Sequence, residues 1–236
     1  YRYENISIKG KLDKQLFEGV ASMRDDNADL TLNGIIDFNE KIPRFNLIAD
    51  VVSSNLKNLK LTKDSISFSG KLNINFTGNS LDNFLGTARI TGAEITKDGH
   101  RLPFDSLIAT AEYIDGIKKL TTVSNEFEAK IEGDFSLADL PNAFTFFLNK
   151  YYPSYVKAPK RYPKNQDIKF NITTYYADEY LQLIDSSLTG FNNSHFEGNL
   201  NLARNELNFT AEVPQFKFRQ YNFDEVKLSA KGNSDS

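Results

Sequence analysis

The 236-residue chain contains no cysteine and no tryptophan, a single methionine and only two histidines. Without cysteine, a disulfide framework, a thiolate zinc centre and a cysteine nucleophile are all excluded. A catalytic triad or an imidazole metal site needs histidine held beside carboxylates or a nucleophile. Here His100 follows the turn at Gly99, His195 precedes a strand, and nothing in the spacing brings the two together. Charge of one sign is missing as well: 28 Lys and Arg stand against 31 Asp and Glu, a formal net charge of -3, with the basic residues scattered. The concentrated basic patch that a nucleic-acid surface needs is therefore absent. No apolar run approaches the roughly eighteen residues of a membrane-spanning helix. These absences point away from an enzyme, a metal, a cofactor and a nucleic-acid partner.

What the chain has instead is a recurring pattern in which a glycine punctuates strict alternation of apolar and polar residues. It occurs as FEGVASM from Phe17, LNGIIDF from Leu32, FSGKLNINFTG from Phe68, FLGTARITG from Phe84, IEGDFSL from Ile131 and FEGNLNL from Phe196. A period of two places alternate side chains on one side of a strand, so each segment predicts a strand with one apolar and one wet face. Ala28, Leu30, Leu32, Gly34, Ile36 and Phe38 share a face, as do Phe45, Leu47, Ala49 and Val51, and the run continues through Ile66, Phe68, Gly70, Leu72, Ile74, Phe76 and Gly78. Turn residues at Asp26-Asn27, Asn39-Glu40, Lys97-Asp98-Gly99 and Asp115-Gly116 leave only short connections, which predicts antiparallel neighbours in a meander.

The periodicity changes near residue 140. Leu140, Phe144, Phe147, Leu148 and Tyr151 fall at helical spacing on one face, with Asp139 placed to cap the start, Pro141 in the first turn and Pro153 as the stop. A Tyr-, Lys- and Pro-rich loop, Tyr155 to Asn165, follows, and strands resume at Ile168, Phe170 and Ile172. A second short helix is predicted from Asp178 to Leu188, with Leu181, Ile184 and Leu188 facing inward. The expected organisation is a strand block over residues 1–139, a helix and loop insertion over 140–165, and a second strand block with one short helix over 166–236.

Two local features have simple readings. The acidic group Asp25, Asp26, Asn27 and Asp29 lacks the twelve-residue spacing and terminal Glu of a calcium loop, and reads as a turn. Phosphate-binding glycines sit between a strand and a helix, whereas Gly34, Gly70, Gly78, Gly86, Gly133 and Gly198 lie inside alternating runs, where glycine permits twist, a bulge or close approach.

The larger question is what covers the apolar face. About fourteen strands at roughly 4.8 Å spacing would make a sheet about 65 Å long, too long for two short helices to cover. The sheet could fold over as a β-sandwich of an adhesin or structural scaffold domain, close into a membrane barrel, or contact lipid. A sandwich fills its interior to crystal-like density, while 19 Phe and recurrent glycine suit an interior shaped around a guest. A spanning barrel would carry aromatic girdles at both strand ends, but Tyr151, Tyr152 and Tyr155 cluster in one place.

Several stretches carry a resemblance: DDNADLTLNGIIDFN from Asp25, the Pro43-x-Phe45-x-Leu47 strand, SSNLKNLKLTKDSISFSGKLNINFTGNSLDNFLGTARI from Ser53 and FEAKIEGDFSL from Phe127. Together with the Tyr151 to Pro153 segment and FEGNLNL from Phe196, they resemble the Bacteroidota branch of the translocation-and-assembly-module TamB family, related to AsmA. The resemblance implies an all-β, mainly antiparallel fold: a long curled sheet forming a taco-like hydrophobic groove, with one or two short amphipathic helices. It further implies that the chain is an internal segment of a long protein anchored in the inner membrane, crossing the periplasm toward an outer-membrane partner of the Omp85 type. Its cargo would be phospholipid acyl chains, in support of outer-membrane biogenesis. The groove-lining candidates are Leu30, Leu32, Ile36, Phe38, Phe45, Leu47, Phe68, Leu72, Ile74, Phe76, Phe84 and Ile90. For each of them, ordinary core packing is the alternative role.

Overall fold

The computed structural model describes residues 3–80, 82–151, 153–154, 156–164, 166–184, 188–218 and 221–233. The fold is all-β and antiparallel, as the alternation predicts. The strands are β1 (Ile6–Asp13), β2 (Leu16–Asp25), β3 (Ala28–Asp37), β4 (Arg44–Ser54), β5 (Ile66–Thr77), β6 (Leu85–Lys97) and β7 (His100–Ile114). They continue as β8 (Ile117–Ser124), β9 (Phe127–Asp134), β10 (Asp167–Thr174), β11 (Leu188–Thr189), β12 (His195–Asn201), β13 (Glu206–Phe218) and β14 (Tyr221–Asn233). Two helices interrupt them, α1 (Leu140–Tyr151), entered through a 3-10 turn at Leu137–Asp139, and α2 (Asp178–Ile184). The hydrogen-bonded order runs sequentially from β1 to β10 and on through β12 to β13, whose last residues also pair with β11 and whose other edge pairs along its length with β14. A sandwich would divide these strands between two sheets; a single sequential ladder is a meander.

Two-residue turns with both residues at positive φ make the tightest hairpins. Asp98 and Gly99 have φ of 51° and 84°, and Asp115 and Gly116 have 53° and 76°, the conformation in which turn twist matches that of the flanking strands.

The chain divides into two compact units. Unit 1 comprises Tyr1–Asn79, Asn83–Thr110 and Thr122–Asn125; unit 2 comprises Ser80–Asp82, Ala111–Thr121 and Glu126–Ser236. Unit 1 holds β1 to β6 and most of β7, and its strands carry few fully buried large side chains. Unit 2 has a filled core, in which Phe135, Ile168, Phe170, Leu200 and Leu207 from its strands meet Ala143 and Phe147 of α1.

The helices depart from expectation in detail. In α1 the inward face is Leu140, Ala143, Phe144 and Phe147, whereas Leu148 is 40% exposed; the axis is rotated so that small Ala143 meets the sheet and the backbone can approach closely. α2 ends at Ile184, and Leu188 belongs to β11, not to the helix. The side chains of Tyr151, Ile184 and Leu188, and residues Tyr152, Tyr155 and Asn165, lie outside what the structure describes.

The two units predict unequal responses to truncation. Leu200→Ala, at a site of 0% exposure, is expected to cost about 3 kcal/mol or more through the cavity it leaves. Leu72→Ala, on the partly accessible face of unit 1, should cost about 1 kcal/mol. Urea unfolding followed by circular dichroism measures both, and equal losses would contradict the difference in core filling.

Candidate functional site

Cross-strand register decides whether the apolar sides of successive strands coincide, because directly opposed residues share a face and a one-residue slip would invert a strand. In unit 1 they coincide over six strands. One row of opposed residues runs Leu12, Phe17, Ile36, Phe45, Phe76 and Gly86; the next runs Gly10, Gly19, Gly34, Leu47, Ile74 and Ala88. A third runs Ile8, Ala21, Leu32, Ala49, Leu72 and Ile90, and a fourth Ile6, Met23, Leu30, Val51 and Gly70. Every member is apolar or glycine. The intervening positions include Asn33, Asn46, Asn73, Asp50, Lys71 and Arg89, so the opposite face is mainly polar, although it also carries Ile35 and the exposed Val20 and Ile48. At about 4.8 Å per strand, each complete row is about 24 Å across.

This face is not packed shut. Among its members Ala49, Val51 and Gly70 are buried, while its Leu, Ile and Phe side chains stay partly accessible and those of β1 are exposed. Phe38, just beyond β3, is 52% exposed and sets its ring edge-on to Phe45 at 5.8 Å; Phe45 lies 4.9 Å from Phe76, and Phe76 lies 4.8 Å from Phe84. An aromatic rank therefore runs along one end of the rows. All twelve residues singled out from the sequence are on this face: Leu30, Leu32 and Ile36 on β3, Phe45 and Leu47 on β4, Phe68, Leu72, Ile74 and Phe76 on β5, Ile90 on β6, with Phe38 and Phe84 flanking. The β1 and β2 contributions, Ile6, Ile8, Leu12, Phe17 and Met23, were not singled out, although the alternation in FEGVASM marks part of them.

Glycine shapes this face. At Gly34 φ is +149°, and a Cβ would lie 2.2 Å from the Asn46 carbonyl oxygen and 2.6 Å from Leu47 Cα. Only a residue without a side chain lets β4 come so close. Gly70 sits at a register shift between β5 and β6, where a Cβ would meet that of Ala93 at 2.7 Å. Gly34→Ala is accordingly expected to destabilise the chain by about 1–3 kcal/mol, whereas unchanged urea stability would refute close strand approach at this position.

Unit 2 repeats the same ladder. Gly133, Ile168, Leu200, Leu207 and Gly232 form one row; Ile131, Phe170, Gly198, Phe209 and Ala230 form the next. Here α1 lies on the apolar side, with Phe144 set edge-on to Phe170 at 6.1 Å.

Polar contacts hold the helix at both ends. Asp82 accepts hydrogen bonds from Ser136 Oγ at 2.8 Å and from the Ala138 N–H at 3.3 Å, while Lys118 donates from Nζ to the Asp82 carbonyl and lies 5.0 Å from the centre of the Phe135 ring. Burial pushes the Lys118 ammonium pKa down, opposed by the Asp82 charge. An open cavity of about 890 Å³ beside Lys118 mixes Asp82, Glu132, Asp134 and Asp167 with Lys169 and Arg204, so neither sign of charge dominates it. The Asp139 carboxylate is buried and accepts from the Lys164 N–H at 3.1 Å and from the Arg161 guanidinium. Instead of serving chiefly as a helix cap, Asp139 ties the chain segment at 161–164 to the start of α1. At the other end Lys150 Nζ donates to Asn205 Oδ1 at 2.6 Å. Such contacts leave no sequence signal, since their partners are up to 56 residues apart.

The histidines stay separate from these features. His195 Nδ1 is 3.1 Å from Thr173 Oγ1 and its Nε2 is 3.8 Å from a Glu197 carboxylate oxygen, on the polar side of β10 and β12; His100 is exposed at the start of β7. Asp25 accepts from the N–H groups of Asn27, Ala28 and Glu4, which accounts for the acidic group as a turn. Among the described residues no helix is long and apolar enough to cross a membrane. Comparison with family models, curated proteins and solved structures finds no match to this chain.

The Lys164 N–H bond, helped by Arg161, holds the Asp139 carboxyl below its ordinary 3.8. A depressed folded-state pKa stabilises above the unfolded value and is lost as pH falls through and below it. The stability difference between the parent chain and Asp139→Asn should therefore be largest near neutrality and shrink below about pH 4. Urea midpoints across that range test this; a difference independent of pH would contradict it.

Proposed function

We propose that the chain is a periplasmic segment of a bridge-like lipid-transfer protein, and that the apolar face of unit 1 receives phospholipid acyl chains and lets them pass along it between inner and outer membranes. The observation that carries this reading is the in-register set of four apolar rows whose large side chains remain accessible. Ile6, Ile8, Leu12 and Phe38 on this face are 55%, 66%, 75% and 52% exposed, and a contiguous apolar face left open marks an interaction site.

The energetics suit transfer. Each methylene removed from water contributes about 0.8 kcal/mol, so an acyl chain of about sixteen carbons gains on the order of 13 kcal/mol against escape into solvent. Neighbouring positions along rows of Leu, Ile and Phe differ little in energy, so sliding meets a low barrier while the headgroup stays in water. No catalytic group is required. The resemblance of the strand and glycine pattern to the TamB family supports the same reading, and with it an inner-membrane tether, an Omp85-type partner and a role in outer-membrane biogenesis. A scaffold or adhesin reading draws on the filled core of unit 2, but it gives the open rows of unit 1 no occupant.

Native mass spectrometry of the purified chain is expected to show co-purifying phospholipid. Leu72→Glu, which sets a charge in the third row, should retain strand circular dichroism and lower lipid occupancy about tenfold, because a carboxylate resists burial against hydrocarbon. A chain that purifies empty and takes up no lipid from vesicles would sink the proposal.

A further inference from the structure

We infer that α1 occupies the acyl-chain position of unit 2, so that lipid contacts only the rows of unit 1 until α1 is released; this rests on the reading of the apolar face as a lipid surface. Both units present rows of the same kind, with glycine and alanine interspersed among Leu, Ile and Phe. In unit 1 those side chains stay accessible. In unit 2 the equivalent side is filled from within the chain by Ala143, Phe144 and Phe147. These bury the surface that hydrocarbon would bury, without a headgroup to keep in water.

The attachment of α1 is suited to release. A helix of 12 residues is marginal in water by itself, so it is held by the face beneath it and by its ties. The ties are few: the buried Asp139 with Arg161, whose side chain is 70% exposed, Asp82 with Ser136 and Ala138, Phe146 with Tyr162, and Lys150 with Asn205. The Arg161 side of its tie lies in solvent, and an arriving acyl chain can replace the contacts of Phe144 and Phe147 as they leave. Exchange of one hydrocarbon occupant for another needs no empty intermediate.

The test uses the full chain with a photocrosslinking benzoylphenylalanine at position 72 in unit 1 or at position 209 in unit 2, mixed with phosphatidylethanolamine and phosphatidylglycerol vesicles. The parent chain should crosslink lipid from position 72 and not from position 209. Arg161→Ala, which removes an exposed tie without touching the sheet, should raise crosslinking at 209 several-fold and speed hydrogen exchange in α1 while β10 stays protected. Equal crosslinking at both positions in the parent chain overturns the occupancy of unit 2 by α1 and leaves the lipid reading standing. Crosslinking at neither position overturns both. Faster exchange in α1 with no lipid at 209 overturns replacement by an acyl chain, and unchanged exchange overturns Arg161 as a tie.

Discussion

Everything in this structure depends on register. A strand of alternating residues has an apolar side only relative to its neighbours, and a single slip between any two of β1 to β6 would turn the apolar residues on one side of the slip to the opposite face. The opposed pairs Leu12–Phe17, Ile36–Phe45, Phe45–Phe76 and Leu72–Ile90 show the alignment held strand after strand. Two-residue connections fix the register of β1 on β2 and of β2 on β3. Across the longer connections that follow β3, β4 and β5, it is the apolar alternation that selects the pairing. Where alignment would drift, irregularities correct it: the shifts at Asp29/Leu30 and at Ser69/Lys71 absorb an extra residue and return the following positions to the same side.

Given aligned faces, the two units differ in what lies against them. Unit 2 builds its core in the ordinary manner of a helix on a sheet, with Leu200 and Ala143 at 0% exposure. On the rows of unit 1 the Leu, Ile and Phe side chains of β2 to β6 stay partly accessible, and glycine at Gly34 and Gly70 lets neighbouring strands approach closely. The helix in unit 2 brings polar groups into the interior, and most of their atoms are paired, while the side-chain Nε2 of Gln166 is buried without a hydrogen-bond partner. Gln166 accepts from the Ser136 N–H through its side chain and from the Leu202 N–H through its backbone carbonyl; Asp139 and Asp82 accept from backbone and side-chain donors around the 3-10 turn.

A transfer surface and a folded core ask opposite things of the same residues. A core gains specificity from interlocking shapes, which would trap a guest in one place. A surface of repeated, similar side chains retains a guest and lets it move. On the reading proposed above, the rows of unit 1 have the second character, and the helix-covered core of unit 2 has the first.

Much was legible in the sequence. Period-two alternation marks the strands, Asp98-Gly99 and Asp115-Gly116 mark hairpins, and the spacing of Leu140, Phe144 and Phe147 marks α1, because each of these signals acts over a few residues. The twelve candidates share a face for the same reason: parity along one strand is a local property. That the faces of different strands coincide, that Ala143 rather than Leu148 meets the sheet, that Leu188 belongs to β11, and that Asp139 turns toward Arg161 and Lys164 were decided only by tertiary structure. Pairing between strands, and the choice of what lies over a face, depend on groups distant along the chain, and alternation carries no record of which of them will meet.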